Sequence, residues 1–159
     1  AFATLVARDP RLRLLIAGRR GHASARLDAA LRRLRLDGAV RFVGHRDDVP
    51  ELLAAADIFV FPSLYEGLGG ALIEAMALGL PIVASDLPAI REVVEEGRNA
   101  ILVPPASPSD LAGAIDWLVD DPARRAAMGA RSREIFEERF TLERSVERMV
   151  ELYRRVARA

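Results

Sequence analysis

The stretch from residue 57 to residue 81 constrains the fold more than any other part of the chain. Residues 57–61 form a short apolar run rich in β-forming side chains, which predicts a buried strand. Three glycines follow at positions 67, 69 and 70, and residues 70–78 then favour a helix that ends at Gly79-Leu80-Pro81. A strand, a glycine loop and a helix N-terminus together predict an anion site, because free N–H groups and the helix dipole point at the loop.

Two carboxylates frame this glycine loop. Glu66 lies in the loop and Glu74 in the second turn of the predicted helix. A single glutamate at either position is ordinarily a solvated surface acid. The helix around Glu74 is apolar nearly all round, however, so we expect Glu74 to be partly buried and to need hydrogen-bond donors. The hydroxyl groups of a sugar or ribose would supply such donors, and we therefore interpret the pair as ligand-binding residues.

The composition excludes several classes of function. The chain of 159 residues is 51% apolar and fits a single domain, residues 1–159, with a substantial core. Its 23 basic residues, all arginine, balance 23 acidic ones, so the basic excess typical of nucleic-acid binding is absent. Cysteine is absent, and no histidine or carboxylate cluster has metal-ligand spacing, so we expect neither a metal nor a cofactor. The lack of cysteine and of a membrane-spanning apolar run fits a cytoplasmic protein.

Strand-forming and helix-forming segments alternate along the chain. Because parallel strands need crossover connections, usually helices, the alternation predicts an α/β fold with a Rossmann-like, doubly wound parallel sheet. The predicted strands are residues 12–17, 40–43, 57–61, 82–84 and 101–103. The predicted helices are residues 1–8, 24–36, 49–55, 70–78, 87–95, 108–119, 122–136 and 142–157.

Two of these helices carry apolar stripes that we interpret as core. Trp117 lies at helical spacing with apolar neighbours and is predicted to pack inside rather than to serve as a stacking platform. The last helix has an apolar stripe that we expect to dock on the chain's own sheet. Membrane contact is the less favoured alternative for this helix. The stripe consists of Leu142, Val146, Met149, Val150, Tyr153 and Val156.

The glycine loop and its flanks resemble a known family. Residues 66–81 read EGLGGALIEAMALGLP, which is similar to the signature of the retaining glycosyltransferases of family 4, enzymes of the GT-B fold. Further stretches that match are FVG at 42–44, ADIFVFPS at 56–63, ASD at 84–86, EVV at 92–94 and NAILVPP at 99–105. The resemblance covers nearly the whole chain, and its paired-glutamate motif is specific. Leu68, Gly70 and Ala100 depart from the family's usual Phe, Leu and Gly, and the first two of these departures affect the fine shape of the loop.

The resemblance implies a function and a set of site residues. The chain would bind a nucleotide diphosphate sugar donor for transfer with retained configuration and without a metal. Glu66 would contact the donor sugar hydroxyls, Glu74 would accept hydrogen bonds from the ribose, and the amides of the loop would hold the sugar and diphosphate. The residues assigned to the donor are the catalytic pair Glu66 and Glu74, together with Gly67, Leu68, Gly69, Gly70, Arg19, His45 and Arg46.

Alternatives remain for several of these residues. His45 and Arg46 follow a predicted strand and are candidates for the base pocket, but His45 also fits an exposed loop histidine. Arg19 and Arg20 lie in a glycine-flanked loop suited to a diphosphate, yet arginine is common throughout this chain. His22 has no partner at metal-ligand spacing and is interpreted as a surface residue. A glycosidase-type pair of carboxyls is disfavoured, because Glu74 is better placed for a ribose.

The resemblance also implies that the chain is one part of a larger enzyme. Family members begin this domain with a strand, a Gly-Arg turn and a Lys-Gly pair, none of which is present, and they bind the acceptor with a separate N-terminal domain. The absent strand would be central in a sheet of order 3-2-1-4-5-6, so we expect no ladder between residues 12–17 and residues 57–61. The alternative function is a non-catalytic, Rossmann-like nucleotide-binding module, although no Gly-x-Gly-x-x-Gly fingerprint follows a strand.

Overall fold

The computed structural model describes residues 1–19, 21 and 24–158, and within them strands and helices alternate as predicted. The strands are β1 (Leu14–Ala17), β2 (Val40–Gly44), β3 (Phe59–Phe61), β4 (Ile82–Ser85) and β5 (Ala100–Val103). The helices are α1 (Phe2–Arg8), α2 (Ser24–Arg33), α3 (Val49–Ala54), α4 (Gly70–Ala77), α5 (Pro88–Arg91), α6 (Pro108–Val119), α7 (Pro122–Arg139) and α8 (Leu142–Val156). Helix α5 is shorter than the predicted residues 87–95, because backbone turns take over from Glu92.

The strands of the described residues form two separate parallel sheets. One contains β1 and β2, and the other has the order β3-β4-β5. No ladder joins β1 to β3 in the described part of the chain, which confirms that prediction. The order is that of a doubly wound sheet divided between β1 and β3. Each of these two strands therefore has one edge that pairs with no other described strand.

Side chains of β4 alternate between two helical layers. Ile82 and Ala84 belong to a cluster with residues of α4, α5 and α7, whereas Val83 packs with Leu118 of α6 on the other face. All four residues of β4 are buried, while the three residues of β3 are only half-buried. Helices thus cover both faces of the three-stranded sheet, and its central strand is the best protected.

Helix α7 packs against the C-terminal end of α4. A Cβ atom on Gly129 of α7 would lie 2.2 Å from the carbonyl oxygen of Gly79, so the two backbones touch where α4 ends. The fully buried Ser132 donates a hydrogen bond to the Leu80 carbonyl at 2.7 Å and accepts one from Asn99 at 3.1 Å. These contacts satisfy buried polar groups and hold the C-terminal end of α4, which leaves its N-terminal end to the glycine loop.

Two sequence interpretations are wrong at the surface. Trp117 is 48% exposed, and the guanidinium of Arg124 lies 3.4 Å from its ring centroid, so it is not a core residue. Helix α8 does not dock on its own sheet: none of its residues is buried, and its neighbour is α7. The same periodicity that predicted a docked helix here marks an apolar face exposed to solvent. No helix in the described ranges is long and apolar enough to cross a membrane.

Candidate functional site

The loop between β3 and α4 lies at the carboxyl edge of the three-stranded sheet, where open α/β sheets bind ligands. It is shaped by Gly69, which is buried and adopts a left-handed conformation with φ of 71° immediately before α4. A Cβ atom on Gly69 would lie 2.8 Å from Cδ1 of Leu72, a fully buried core residue. Gly67 and Gly70 have open space at the corresponding positions. Of these three glycines, only Gly69 is required by backbone conformation and by packing.

The N-terminus of α4 presents free backbone donors. No side chain caps it, and the Leu72 N–H donates to the Gly69 carbonyl at 2.9 Å. The N–H groups of Gly70 and Ala71 have no hydrogen-bond acceptor among the residues that the structure describes. With the dipole of the eight-residue helix behind them, these N–H groups have the arrangement from which the sequence analysis predicts an anion site.

The Glu66 carboxylate is half-buried and held within the loop. Its Oε1 accepts a hydrogen bond from the Gly67 N–H at 3.1 Å, and its Oε2 accepts one from the Ser63 hydroxyl at 3.4 Å. The adjacent Leu64, Tyr65 and Leu68 are exposed. An anchored carboxylate therefore lies among apolar side chains at the entrance to the helix N-terminus.

Glu74 is exposed, so the expectation that it is partly buried is wrong. Helix α4 buries only Leu72, Ala75 and Met76, and Glu74 faces away from them. Its carboxylate has no hydrogen-bond or ion-pair partner in the part of the chain that the structure describes. Residues four apart lie on one helix face and side chains lean toward the N-terminus, so Glu74 lies over Gly70 at the free end of α4. Its position, and not its burial, makes it a candidate for ligand binding.

The other predicted residues lie on the loops after β1 and β2. These loops are adjacent, because the Gly18 N–H donates to the Gly44 carbonyl at 2.8 Å. Arg19 is exposed, whereas Arg46 forms a two-point ion pair with Asp48 at 2.7 and 2.5 Å, which lowers the pKa of Asp48. His45 lies 3.9 Å from the Asp47 carboxylate. No hydrogen bond or ion pair within the described ranges joins these side chains to Glu66.

The predictions for Arg20 and His22 lie outside the described residues. Among the described residues, no three His, Cys, Asp or Glu side chains are grouped so that they could hold a metal ion. At the end of β4, Asp86 is engaged by Arg91 through two hydrogen bonds, which lower the pKa of Asp86. This pairing gives Asp86 a structural role next to the start of α5.

Sequence reasoning missed Ser63 and a cavity of about 250 Å³ at the same edge of the sheet. Ser63 lies three residues before Glu66, a spacing at which a serine hydroxyl can form a local side-chain contact. The cavity is lined by Pro62 and Leu64 of the loop after β3, by Ser85 and Val103 at the ends of β4 and β5, and by residues of the segment 104–111. No local pattern predicts this cavity, because its walls come from distant segments.

Comparison with known proteins gives the family. Residues 1–121 match the family model described as "Glycosyl transferases group 1". The alpha-maltose-1-phosphate synthase of Mycolicibacterium smegmatis is 41% identical over 115 residues, which are 69% of this chain and 30% of that protein. The D-inositol 3-phosphate glycosyltransferase of Corynebacterium urealyticum is 32% identical over 162 residues, covering 97% of this chain and 38% of that protein.

Solved structures agree with the family match. HepE of Anabaena in complex with UDP superposes with a TM-score of 0.89 at 27% identity, over 95% of this chain and 43% of that one. Sucrose-phosphate synthase of Thermosynechococcus elongatus superposes with a TM-score of 0.88 at 31% identity, over 98% of this chain and 41% of that one. The chain spans 30% and 38% of the lengths of the two curated relatives above. It has the Rossmann-like α/β fold of a GT-B domain and belongs to the glycosyl transferases of group 1.

Proposed function

We propose that this chain is the donor-binding part of a retaining, metal-independent glycosyltransferase of family 4 type. It would bind a nucleotide diphosphate sugar, from which the complete enzyme transfers the sugar to an acceptor. The observation that carries this proposal is the loop between β3 and α4. There, free N–H groups of a helix N-terminus follow Glu66 in the loop and precede Glu74 in the second turn of α4. A cytoplasmic location remains a prediction from composition.

The chemistry of the site suits such a donor. When the bond between the sugar and the diphosphate breaks, negative charge develops on the leaving phosphate. Fixed N–H groups at the N-terminus of α4 would stabilise that charge at no cost in reorganisation. The carboxylate of Glu66, already oriented by two donors, would accept hydrogen bonds from sugar hydroxyls, and Glu74 would accept them from ribose. Arg19 is placed on a neighbouring loop as a further candidate for the diphosphate.

In this proposal the loop after β2 contributes to the base pocket. His45 and Arg46 follow the carboxyl end of β2, and the glycine loop follows the carboxyl end of β3, so in a doubly wound sheet both loops would face the same cleft. Arg46 would have to exchange its exposed pair with Asp48 for a contact with the base. Exposed ion pairs contribute little to stability, so this exchange is energetically accessible.

The acceptor would be bound by a separate N-terminal domain. The share of the relatives that this chain covers, 30% and 38% in the two curated proteins above, supports this proposal. So do the open edges of β1 and β3 and the exposed apolar face of α8, which offer surfaces for further chain. The 159-residue chain alone is then expected to be catalytically inactive, and sugar transfer by the purified chain would refute that expectation.

The donor proposal is tested by calorimetry of the purified chain with UDP, GDP and NAD. HepE, 28% identical to this chain, has been crystallised with UDP-glucose, which makes UDP the first ligand to test. Binding of UDP or GDP without NAD supports the donor-binding function. Binding of NAD without binding of UDP or GDP would support the alternative, a Rossmann-like module without transferase function, and would refute the donor-binding proposal.

Substitutions at the two glutamates separate their roles. Glu74→Gln should weaken the affinity for the free nucleotide by about 1–3 kcal/mol, the scale of a hydrogen bond to a charged group. Glu66→Ala should leave the free nucleotide unaffected and weaken only the nucleotide sugar. Equal affinities of all three proteins for both ligands would remove the reason for assigning these residues to the donor.

A further inference from the structure

The two oxygens of the Glu66 carboxylate have different partners. The Gly67 N–H binds Oε1 at 3.1 Å and comes from the adjacent residue, so it moves with Glu66 whenever the loop moves. The Ser63 hydroxyl binds Oε2 at 3.4 Å and comes from the other side of the turn. Among the residues that the structure describes, only Ser63 therefore ties the carboxylate to a part of the structure outside its own peptide unit.

Ser63 is attached to the rigid end of the loop. It lies two residues after Phe61, which pairs with the fully buried Ala84 of the central strand, and Pro62 between them has a fixed φ. Ser63 is half-buried, and Glu66 is the only partner of its hydroxyl within the described residues. The two residues that separate Ser63 from Glu66, Leu64 and Tyr65, are 65% and 88% exposed and provide no packing that would hold the carboxylate.

We propose that Ser63 is a positioning residue that sets the orientation of the Glu66 carboxylate for the hydroxyls of the donor sugar. This inference rests on the proposed function. A carboxylate offers about four acceptor positions, of which Ser63 and Gly67 use one on each oxygen, so one position remains on each oxygen. Two neighbouring hydroxyls of a hexose ring match two such acceptors side by side. The separation of 3.4 Å is long for a hydroxyl donor, and contacts of this kind tighten when substrate binds.

The test uses calorimetry of the 159-residue chain with UDP and UDP-glucose, and with GDP and GDP-mannose. Ser63→Ala should weaken affinity for the nucleotide sugar about 5–10-fold and change affinity for the free nucleotide less than about twofold, as loss of one hydrogen bond to a carboxylate predicts. Ser63→Thr, which keeps the hydroxyl, should restore most of the loss. Ser145→Ala on the exposed face of α8 serves as the matched control, and both of its affinities should equal those of the wild type.

A double-mutant cycle separates positioning from a purely structural role. In a Glu66→Ala background, Ser63→Ala should have no further effect on nucleotide-sugar affinity, because its partner is gone. Equal losses for the sugar and the free nucleotide, additive losses in the cycle, or an unchanged Ser63→Ala affinity would each overturn the inference. If the wild-type chain binds UDP but the Ser63 variants match it, the inference alone fails. If the wild-type chain binds none of the four ligands, the proposed function fails and this inference fails with it.

Discussion

Substitution of Gly69 by alanine tests the architecture of the loop between β3 and α4 most directly. Gly69 has a φ of 71°, a conformation that costs a residue with a Cβ atom about 1 kcal/mol or more. The added methyl group would also lie 2.8 Å from Cδ1 of Leu72. Leu72 is fully buried, so its side chain has to leave its rotamer minimum, at about 0.5–1.5 kcal/mol. We therefore expect Gly69→Ala to lower the free energy of unfolding by about 2–4 kcal/mol.

The same loop provides two matched controls. Gly67 and Gly70 have open space where a Cβ atom would stand, and neither has a positive φ. Alanine at these positions reduces the freedom of the unfolded chain, so each variant should stay within about 1 kcal/mol of the wild type or become slightly more stable. Urea denaturation followed by circular dichroism measures all three variants. For a chain of this size, 2–4 kcal/mol corresponds to a fall in Tm of roughly 5–15 °C.

Binding should follow stability in this series. The left-handed turn at Gly69 directs the N–H groups of Gly70 and Ala71 out of the helix N-terminus, so its loss should weaken nucleotide binding as well. The reasoning is refuted if Gly69→Ala is as stable as Gly67→Ala. It is also refuted if Gly69→Ala is destabilised but binds nucleotide with wild-type affinity, because the turn would then not shape the site.

Three further predictions concern the rest of the fold. Gly129→Ala should lower the free energy of unfolding measured in urea by at least about 2 kcal/mol, because its Cβ atom would collide with the Gly79 carbonyl. Gly113→Ala, whose Cβ atom would enter open space, should not lower it, and equal stabilities of the two variants would contradict the contact. Arg131 holds the pKa of Glu95 below its usual range, so this pair stabilises the fold above about pH 4.3 and ceases to do so as the pH falls through the lowered pKa. Glu95→Gln should therefore be less stable than the wild type in urea at pH 7, and this difference should shrink as the pH falls below about 4.3. A difference that stays constant as the pH is lowered would exclude the pair as its cause. Met149→Glu on the exposed face of α8 should reduce self-association of the chain in analytical ultracentrifugation without changing nucleotide affinity, and unchanged association would show that this face is not involved.

The stretch from β3 to α4 was predictable because local rules and tertiary structure agree there. Residues 59–61 have the composition of a strand, glycines follow, and the helix formers from Gly70 onward continue to Ala77. The exposure of Glu74 was not predictable from the same residues. The apolar composition of α4 suggested a helix buried all round, but the helix packs through Leu72, Ala75 and Met76 and exposes its opposite side. Composition reports how apolar a helix is, whereas burial depends on how many neighbours reach it.

Helix α8 shows the limit of periodicity in a second way. The six residues of its predicted apolar stripe do lie on one helix, and all six are exposed. The pattern indicates that this face packs against a partner, but it contains no information about which partner that is. The contact between Ser63 and Glu66 was missed for the opposite reason. It depends on the path of a short loop, and spacing alone does not reveal whether that loop turns back on itself.

The division of the sheet lies at the strand that carries the site. β3 pairs with β4 on one side only, and its three residues are half-buried where the four residues of β4 are buried. On the other side of the division, Leu15 of β1 is 49% exposed, although a strand inside a doubly wound sheet is covered on both faces. One strand inserted between β1 and β3 would span two strand spacings, roughly 9–10 Å, and would satisfy both edges. Because Ser63, Glu66 and Gly69 all follow β3, fixing the free edge of β3 would directly stiffen the loop between β3 and α4. Under the proposed function, pairing of this free edge with a further strand should therefore raise the affinity for the donor.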